Sequence, residues 1–239
     1  MPPPKKPEKP KARAHEGDRI AKVIARAGIC SRRDAEKLIG EGRVKLNGEL
    51  VTSPALNVTE NDLVSVDDKP LAQPEAARMW RYHKPSGLVT THKDEKGRPT
   101  VFAGLPKSMG RVVSVGRLDF NSEGLLLLTN DGDIARRMEM PAAGWTRVYR
   151  VRLFGKVTQA ELDRLAEGTV IDGVKYGPII ADLERAKGVY AWARVSLKEG
   201  KNREVKRVME SRATFRPRLS ITRLTSRFLP SFRLTRAQA

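Results

Sequence analysis

A single cysteine, Cys30, is the only thiol in this 239-residue chain. No disulfide can close within it, a usage that fits a reducing compartment and hence the cytoplasm. The three histidines, His15, His83 and His92, show no metal-ligand spacing. With one cysteine beside them a structural zinc site is not expected, and the chemistry should be metal-free. No apolar run approaches the roughly 20 residues of a membrane-crossing helix. The Pro- and Lys-rich N-terminus also lacks the apolar stretch of a secretory signal, so no membrane partner is expected. Aromatic residues are 5% of the chain, too few for a broad base-stacking platform. No carboxylate pair stands out either, which argues against a two-acid hydrolytic mechanism.

Positive charge is abundant. Lys and Arg number 46 against 28 acids, for a formal charge of +18. That balance points to a polyanionic partner, and in the absence of a membrane element the partner is nucleic acid. Part of the excess lies in the tails: residues 1–17 hold five basic and two acidic side chains, and residues 211–239 hold seven Arg and no acid. The body between them is still net basic.

Residues 1–17 alternate Pro and Lys with almost nothing apolar and are expected to form a disordered basic arm. From Asp18 the pattern changes. Ile20, Val23, Ile24 and Ala27 share a helical face that ends at Gly28. Ser31-Arg32-Arg33-Asp34 then reads as an N-cap with an acid three residues on, opening a helix that buries Ala35, Leu38 and Ile39 and stops at Gly42. Val44, Leu46, Leu50 and Val51 flank Asn47-Gly48, a strong hairpin signal. Residues 18–70 therefore predict two short helices and a hairpin. This phrase, above all Ser31 to Glu36 with Gly42-Arg43-Val44, resembles the S4-like RNA-binding module. Arg32, Arg33 and Lys37 crowd a helix start, where free N–H groups favour phosphate. With Arg43 they are the expected RNA contacts of this module, although such charge runs also serve as plain solvated faces.

Residues 71–78 read as a linker and 79–210 as a second domain. Strands are predicted at Met79–His83, Leu88–His92, Val112–Val115, Leu125–Thr129, Val148–Leu153 and Ala191–Leu197, and helices at Thr158–Gly168 and Asn202–Glu210. Strands with few helices and no βαβ regularity predict an α+β domain with a mixed, largely antiparallel sheet. Its most informative stretch is Gly116-Arg117-Leu118-Asp119, which continues through a turn rich in Asn, Ser and Gly into Leu125–Leu128 and closes at Thr129-Asn130-Asp131-Gly132. This sets one carboxylate at the mouth of two strands, with a cation two residues before it. On spacing alone, Asp119 reads equally well as the cap of a turn.

Taken jointly over seventeen residues, the segment resembles the signature of pseudouridine synthases, in the branch that modifies bacterial ribosomal RNA (large-subunit type B and small-subunit type A). The resemblance implies that Asp119 is the catalytic acid of a cofactor-free, monomeric isomerase acting on ribosomal RNA, the 23S species by its type B likeness. It further implies that Tyr149, in Thr146-Arg147-Val148-Tyr149-Arg150-Val151, packs on the flipped uracil and helps take the C5 proton. In Glu199-Gly200-Lys201-Asn202-Arg203-Glu204-Val205-Lys206-Arg207 it implies that Lys206 pairs with Asp119, with Arg117 as a further cation. Lys201, Arg203 and Arg207 would be phosphate contacts. Lys84-Pro85-Ser86-Gly87 also resembles a family motif, but a Pro/Gly turn accounts for most of it. Ser122 stands where the family usually has Thr.

The resemblance stops near Glu210. Residues 211–239 are an atypical basic segment, read as an altered C-terminus of the kind a frame shift produces. If that tail cannot pair, a sheet edge beside the site stays unfilled. The alternatives are accordingly a synthase inactivated by its tail, or a non-catalytic ribosome-binding factor.

Overall fold

The structure is a computed structural model that describes residues 17–211, 218–225 and 234–236, the last two stretches as backbone only. The basic arm, apart from Gly17, and the rest of the C-terminal segment lie outside the described residues. The chain divides into two compact units, residues 1–76 and 77–239.

In the first unit, β1 (Asp18–Arg19) runs directly into α1 (Ile20–Arg26), and α2 (Arg32–Gly40) follows. Ser31 caps α2 as the sequence predicts, its Oγ accepting from the Asp34 N–H at 3.1 Å. Strands β2 (Val44–Leu46) and β3 (Glu49–Leu50) form the predicted hairpin. Its turn residues Asn47 and Gly48 have φ of 51° and 89°, the left-handed conformation that an Asn-Gly hairpin turn demands. The unit holds more strand than predicted. β4 (Asn57–Val58) pairs with β1, while β5 (Val64–Val66) and β6 (Lys69–Pro70) extend the hairpin to a four-stranded sheet ordered β3-β2-β5-β6. Ile20, Ile24, Ala35, Ile39, Val44, Val58 and Val64 fill one core between helices and sheet.

The second unit is built on one large sheet. Its strands are β7 (Met79–Lys84), β8 (Val113–Val115), β9 (Glu123–Thr129), β10 (Thr146–Phe154), β13 (Ile180–Lys187), β14 (Tyr190–Leu197), β15 (Arg218–Thr225) and β16 (Leu234–Arg236). A separate small hairpin pairs β11 (Thr169–Ile171) with β12 (Val174–Tyr176). The helices are α3 (Gly132–Glu139), α4 (Gln159–Asp163) and α5 (Glu204–Ser211). Strand order is β13-β14-β10-β15-β9-β7-β16, with β8 on β9. All pairings are antiparallel except β15 with β9 and β16 with β7, so the expected mixed, largely antiparallel α+β architecture is what forms.

Two apolar cores lie in this unit. One gathers Val151, Leu153, Leu162, Leu165, Ala193, Val195, Val208 and Met209 under β10 and β14. The other gathers Trp80, Tyr82, Met109, Leu118, Leu126 and Leu128 around β7 and β9. Tyr149 packs against both.

Three expectations change. Leu88–His92 is not a strand: it contributes a single bridge, Val89 to Thr100, because Thr90 is used to hold the loop that follows Gly116. The Asn130-Asp131-Gly132 turn opens a helix, since Asp131 Oδ1 caps α3 through the N–H groups of Asp133 (2.8 Å) and Ile134 (3.3 Å). The C-terminal segment also does not leave an edge unfilled. The backbone of 218–225 lies inside the sheet between β10 and β9, and 234–236 borders β7.

Candidate active site

The segment bearing Asp119 is fastened along its whole length. Gly116, with φ of 70°, turns the chain out of β8, and its N–H donates to Glu139 Oε1 of α3 at 2.7 Å. Leu118 is buried as an apolar anchor. Buried Thr90 donates its hydroxyl to the Leu118 carbonyl (3.0 Å) and accepts from the Leu118 N–H (3.3 Å). The Ser122 N–H donates to the Asp119 carbonyl at 3.0 Å, and the Gly87 N–H to the Phe120 carbonyl at 2.8 Å.

Lys84, the last residue of β7 and the first of the Lys-Pro-Ser-Gly phrase read as a turn, completes this scaffold. It is fully buried. Its ammonium donates to the carbonyls of Ser122 (2.8 Å), Asp119 (3.0 Å) and Pro85 (3.0 Å), with that of Phe120 at 3.4 Å. Burial lowers its pKa, and the charges of Asp119 and Glu123 pull the other way. A buried cation ringed by carbonyl oxygens is a structural clamp: it satisfies several backbone acceptors at once in a place water cannot reach.

The Asp119 side chain faces a cleft of about 900 Å³. Arg117, Tyr149, Lys201, Arg203 and Lys206 line the same cleft, so every residue proposed for catalysis converges on one place, although three separate elements supply them. Arg207 does not line it. Arg98 and Arg147 do, and sequence reasoning passed over both. Arg147 reaches the carbonyls of Lys198 (3.0 Å) and Glu199 (3.4 Å), tying β10 to the turn before α5.

Among the described residues, the cation that meets the Asp119 carboxylate is Arg203, with Nε 3.8 Å from Oδ2. Arg203 has φ of 53°, a conformation costly for a side chain of this size and one that concentrates at functional sites. Lys206, expected beside Asp119, instead pairs with Glu210 one helical turn on, at 3.6 Å, the ordinary i,i+4 geometry. The carboxylate is not in a dry cavity either. Asp119 is 39% exposed by side chain, so water reaches it through the open cleft.

Tyr149 projects from β10 into the cleft. Burial raises its hydroxyl pKa to about 12, with Glu204 and Asp119 adding to the effect and Arg147 opposing it. At neutral pH the ring is therefore an uncharged phenol.

Glu204, in the cleft wall, is 4% exposed. Its Oε2 accepts from the Lys201 N–H at 2.8 Å, closing the first turn of α5, while Oε1 is buried with no hydrogen-bond partner among the described residues. Burial raises its pKa, and the neighbouring Glu199 adds to this. Glu199 is held down chiefly by the Lys201 ammonium and by the Gly177 N–H. Lys201, expected on phosphate, is thus engaged by Glu199. Arg43 in the first unit is engaged likewise: its guanidinium forks onto Asp67 through two 2.7 Å bonds and touches Glu41 at 3.1 Å. Arg32, Arg33 and Lys37 are exposed on α2.

Comparison with known proteins agrees with this geometry. The family described as RNA pseudouridylate synthase matches residues 78–211, and the S4 domain matches residues 18–64. A protein of Rickettsia bellii named as an uncharacterized RNA pseudouridine synthase is 50% identical over 195 residues, which cover 80% of this chain and 83% of that protein. The ribosomal large subunit pseudouridine synthase B of Pseudomonas aeruginosa is 41% identical over 224 residues, 90% of this chain but 57% of the longer relative. A crystal structure of a pseudouridylate synthase superposes with a TM-score of 0.58 at 28% identity, covering 90% of this chain and 93% of the other.

Proposed function

The chain belongs to the RNA pseudouridylate synthase family, and from that premise we propose that it converts a specific uridine of ribosomal RNA, in the large-subunit 23S species, to pseudouridine. It does so as a cytoplasmic, cofactor-free monomer whose S4 unit binds RNA through Arg32, Arg33 and Lys37. The large-subunit type B relatives support the choice of RNA. The observation that carries the reading is the convergence of Asp119, Tyr149, Arg203 and Lys206 on one cleft.

The reaction breaks the N1–C1′ bond, turns the detached uracil and rejoins it through C5. Positive charge builds on the ribose as the bond opens, and a carboxylate placed beside C1′ stabilises it. One acid suffices because the base is kept and no water need be activated. Asp119 fills that role, on a backbone fixed by Lys84 and Thr90. Arg203, 3.8 Å from the carboxylate, and Lys206 in the first turn of α5 place positive charge in the same cleft as the acid. The cleft is open, so the incoming nucleotide itself must displace the water that now reaches Asp119. Tyr149 offers a ring for the extruded base. Stacking of this kind contributes about 1–3 kcal/mol, against an extrusion cost of a few kcal/mol. As an uncharged phenol it is not a ready base, so its role is to hold the uracil; the C5 proton passes to solvent water and N1 takes one back, which balances the isomerisation.

Asp119→Asn tests the proposal. The variant should form no pseudouridine in unmodified ribosomal RNA while binding that RNA with near wild-type affinity. Residual conversion at the wild-type rate would remove Asp119 from the reaction, and pseudouridine mapping with and without the gene would identify the target base.

A further inference from the structure

The β13-β14-β10 half of the catalytic sheet has two faces of opposite character. Val151, Leu153, Ala193 and Val195 point into the core, and Tyr149, with the same parity on β10, lines the cleft. The alternate residues point away from the cleft. There the register sets Arg150 opposite Arg194, Arg152 opposite Trp192 and Phe154 opposite Tyr190.

These side chains are already organised. The Arg150 guanidinium lies 4.6 Å from the Trp192 ring centre, and that of Arg152 lies 4.1 Å from Tyr190. Tyr190 meets Phe154 edge to face at 5.5 Å. A β-bulge in β13 brings Glu184 across to accept from Arg150 at 2.8 Å and Arg194 at 3.2 Å, so the arginines are held in place as well as stacked. The chain has only 3 Trp, 4 Tyr and 6 Phe, and three of these rings gather on this one face. Phe154 and Tyr190 stay 44% and 43% exposed. The sequence, judged too poor in aromatics for a stacking platform, concentrates them into a small one.

We infer that this back face binds a single-stranded stretch of RNA separate from the nucleotide that enters the cleft. Bases stack on the Tyr190 and Phe154 rings and on the exposed guanidinium planes, and phosphate meets Arg152, which no acid holds among the described contacts on this face. Alternating rings and guanidinium groups on a flat sheet suit unpaired bases, every one of which has a π-face. Charge favours RNA over a second copy of the chain, because two molecules each carrying +18 repel one another. The inference rests on the RNA-substrate reading above and adds a contact on the opposite side of the sheet from the chemistry.

The test uses the full chain and a fluorescent single-stranded RNA of about 12 nucleotides, made only of adenosine and cytidine so that it offers nothing to isomerise. Wild type, Arg152→Ala/Tyr190→Ala and Tyr190→Phe are titrated by anisotropy between about 50 and 200 mM salt. The double variant should bind about tenfold more weakly, with a log–log salt slope shallower by about 0.7 for the lost phosphate contact. Tyr190→Phe keeps the ring and should bind as wild type. Unchanged affinity and slope in the double variant would overturn the inference. So would a concentration-dependent wild-type dimer in sedimentation that the double variant lacks, since it would assign the face to a second copy. Uridine conversion on ribosomal RNA is scored for the same proteins. Absence of product from wild type would sink the isomerase reading while leaving the binding result standing, whereas normal product with unchanged binding would sink this inference alone.

Discussion

Replacing Lys84 by Met keeps the length of the side chain and deletes the ammonium that holds the catalytic loop. Three donors are lost from carbonyls at 2.8 to 3.0 Å. Charge-assisted hydrogen bonds contribute about 1.5–3 kcal/mol each, while burying the ammonium costs several kcal/mol in the other direction. The net loss of stability should be about 2–4 kcal/mol. With a urea dependence of about 2 kcal/mol per molar, the unfolding midpoint should fall by about 1–2 M. The Asp119 carbonyl is one of the three acceptors, so the carboxylate also loses its register against the substrate. A misplacement of about 1 Å is worth on the order of 10²-fold in rate. Urea melts followed by fluorescence and single-turnover pseudouridine formation at saturating enzyme measure the two effects separately. A Lys84→Met protein with an unmoved midpoint and a rate within about twofold of wild type would refute the clamp.

Tyr149→Phe should retain conversion within about tenfold of wild type, because a hydroxyl with a pKa near 12 is not working as a phenolate. Tyr149→Ala should lose about 10- to 100-fold, as expected for a missing stack, and equal losses in both variants would restore the hydroxyl to the chemistry. Glu204→Gln should raise stability at neutral pH by about 1 kcal/mol, the scale of one unsatisfied buried acceptor. The sign follows from its raised pKa: the folded state holds the proton more tightly, so wild-type stability falls as pH rises from about 4.3 through the folded value. The variant's advantage should therefore vanish in denaturant melts below about pH 4, and an advantage that persisted there would show that Glu204 titrates normally.

The parts of this molecule legible in its sequence are those set by local signals. Ser31 as a cap, Asn47-Gly48 as a turn and the apolar run of β9 each carry their instruction within a few residues, and the joint phrase from Gly116 to Gly132 carries the family. Longer-range structure escaped. β13 carries no strand signal of its own: Asp182, Glu184, Arg185 and Lys187 break any apolar alternation, yet they form the exposed side of a strand. Leu88–His92 has the composition of a strand, yet Thr90 gives its hydroxyl to Leu118 across 28 residues of sequence. Lys84 is the hardest case, since nothing nearby announces that carbonyls about 35 residues further on will enclose its ammonium. Lys206, which the resemblance pairs with Asp119, lines the same cleft and also meets Glu210 on its own helix, a local contact that the joint phrase does not announce.

The place of β15 in the sheet bears on when the enzyme comes into being. It pairs with β10 along most of its length and touches β9 at Ser220–Glu123 and Ile221–Gly124, partners roughly a hundred residues apart, which makes the closure a slow, non-local step. Asp119 belongs to the β9 side of this seam, and Tyr149 and Arg203 to the β10 side. The acid and the ring therefore stand on two halves of one sheet that are joined through a strand from far along the chain.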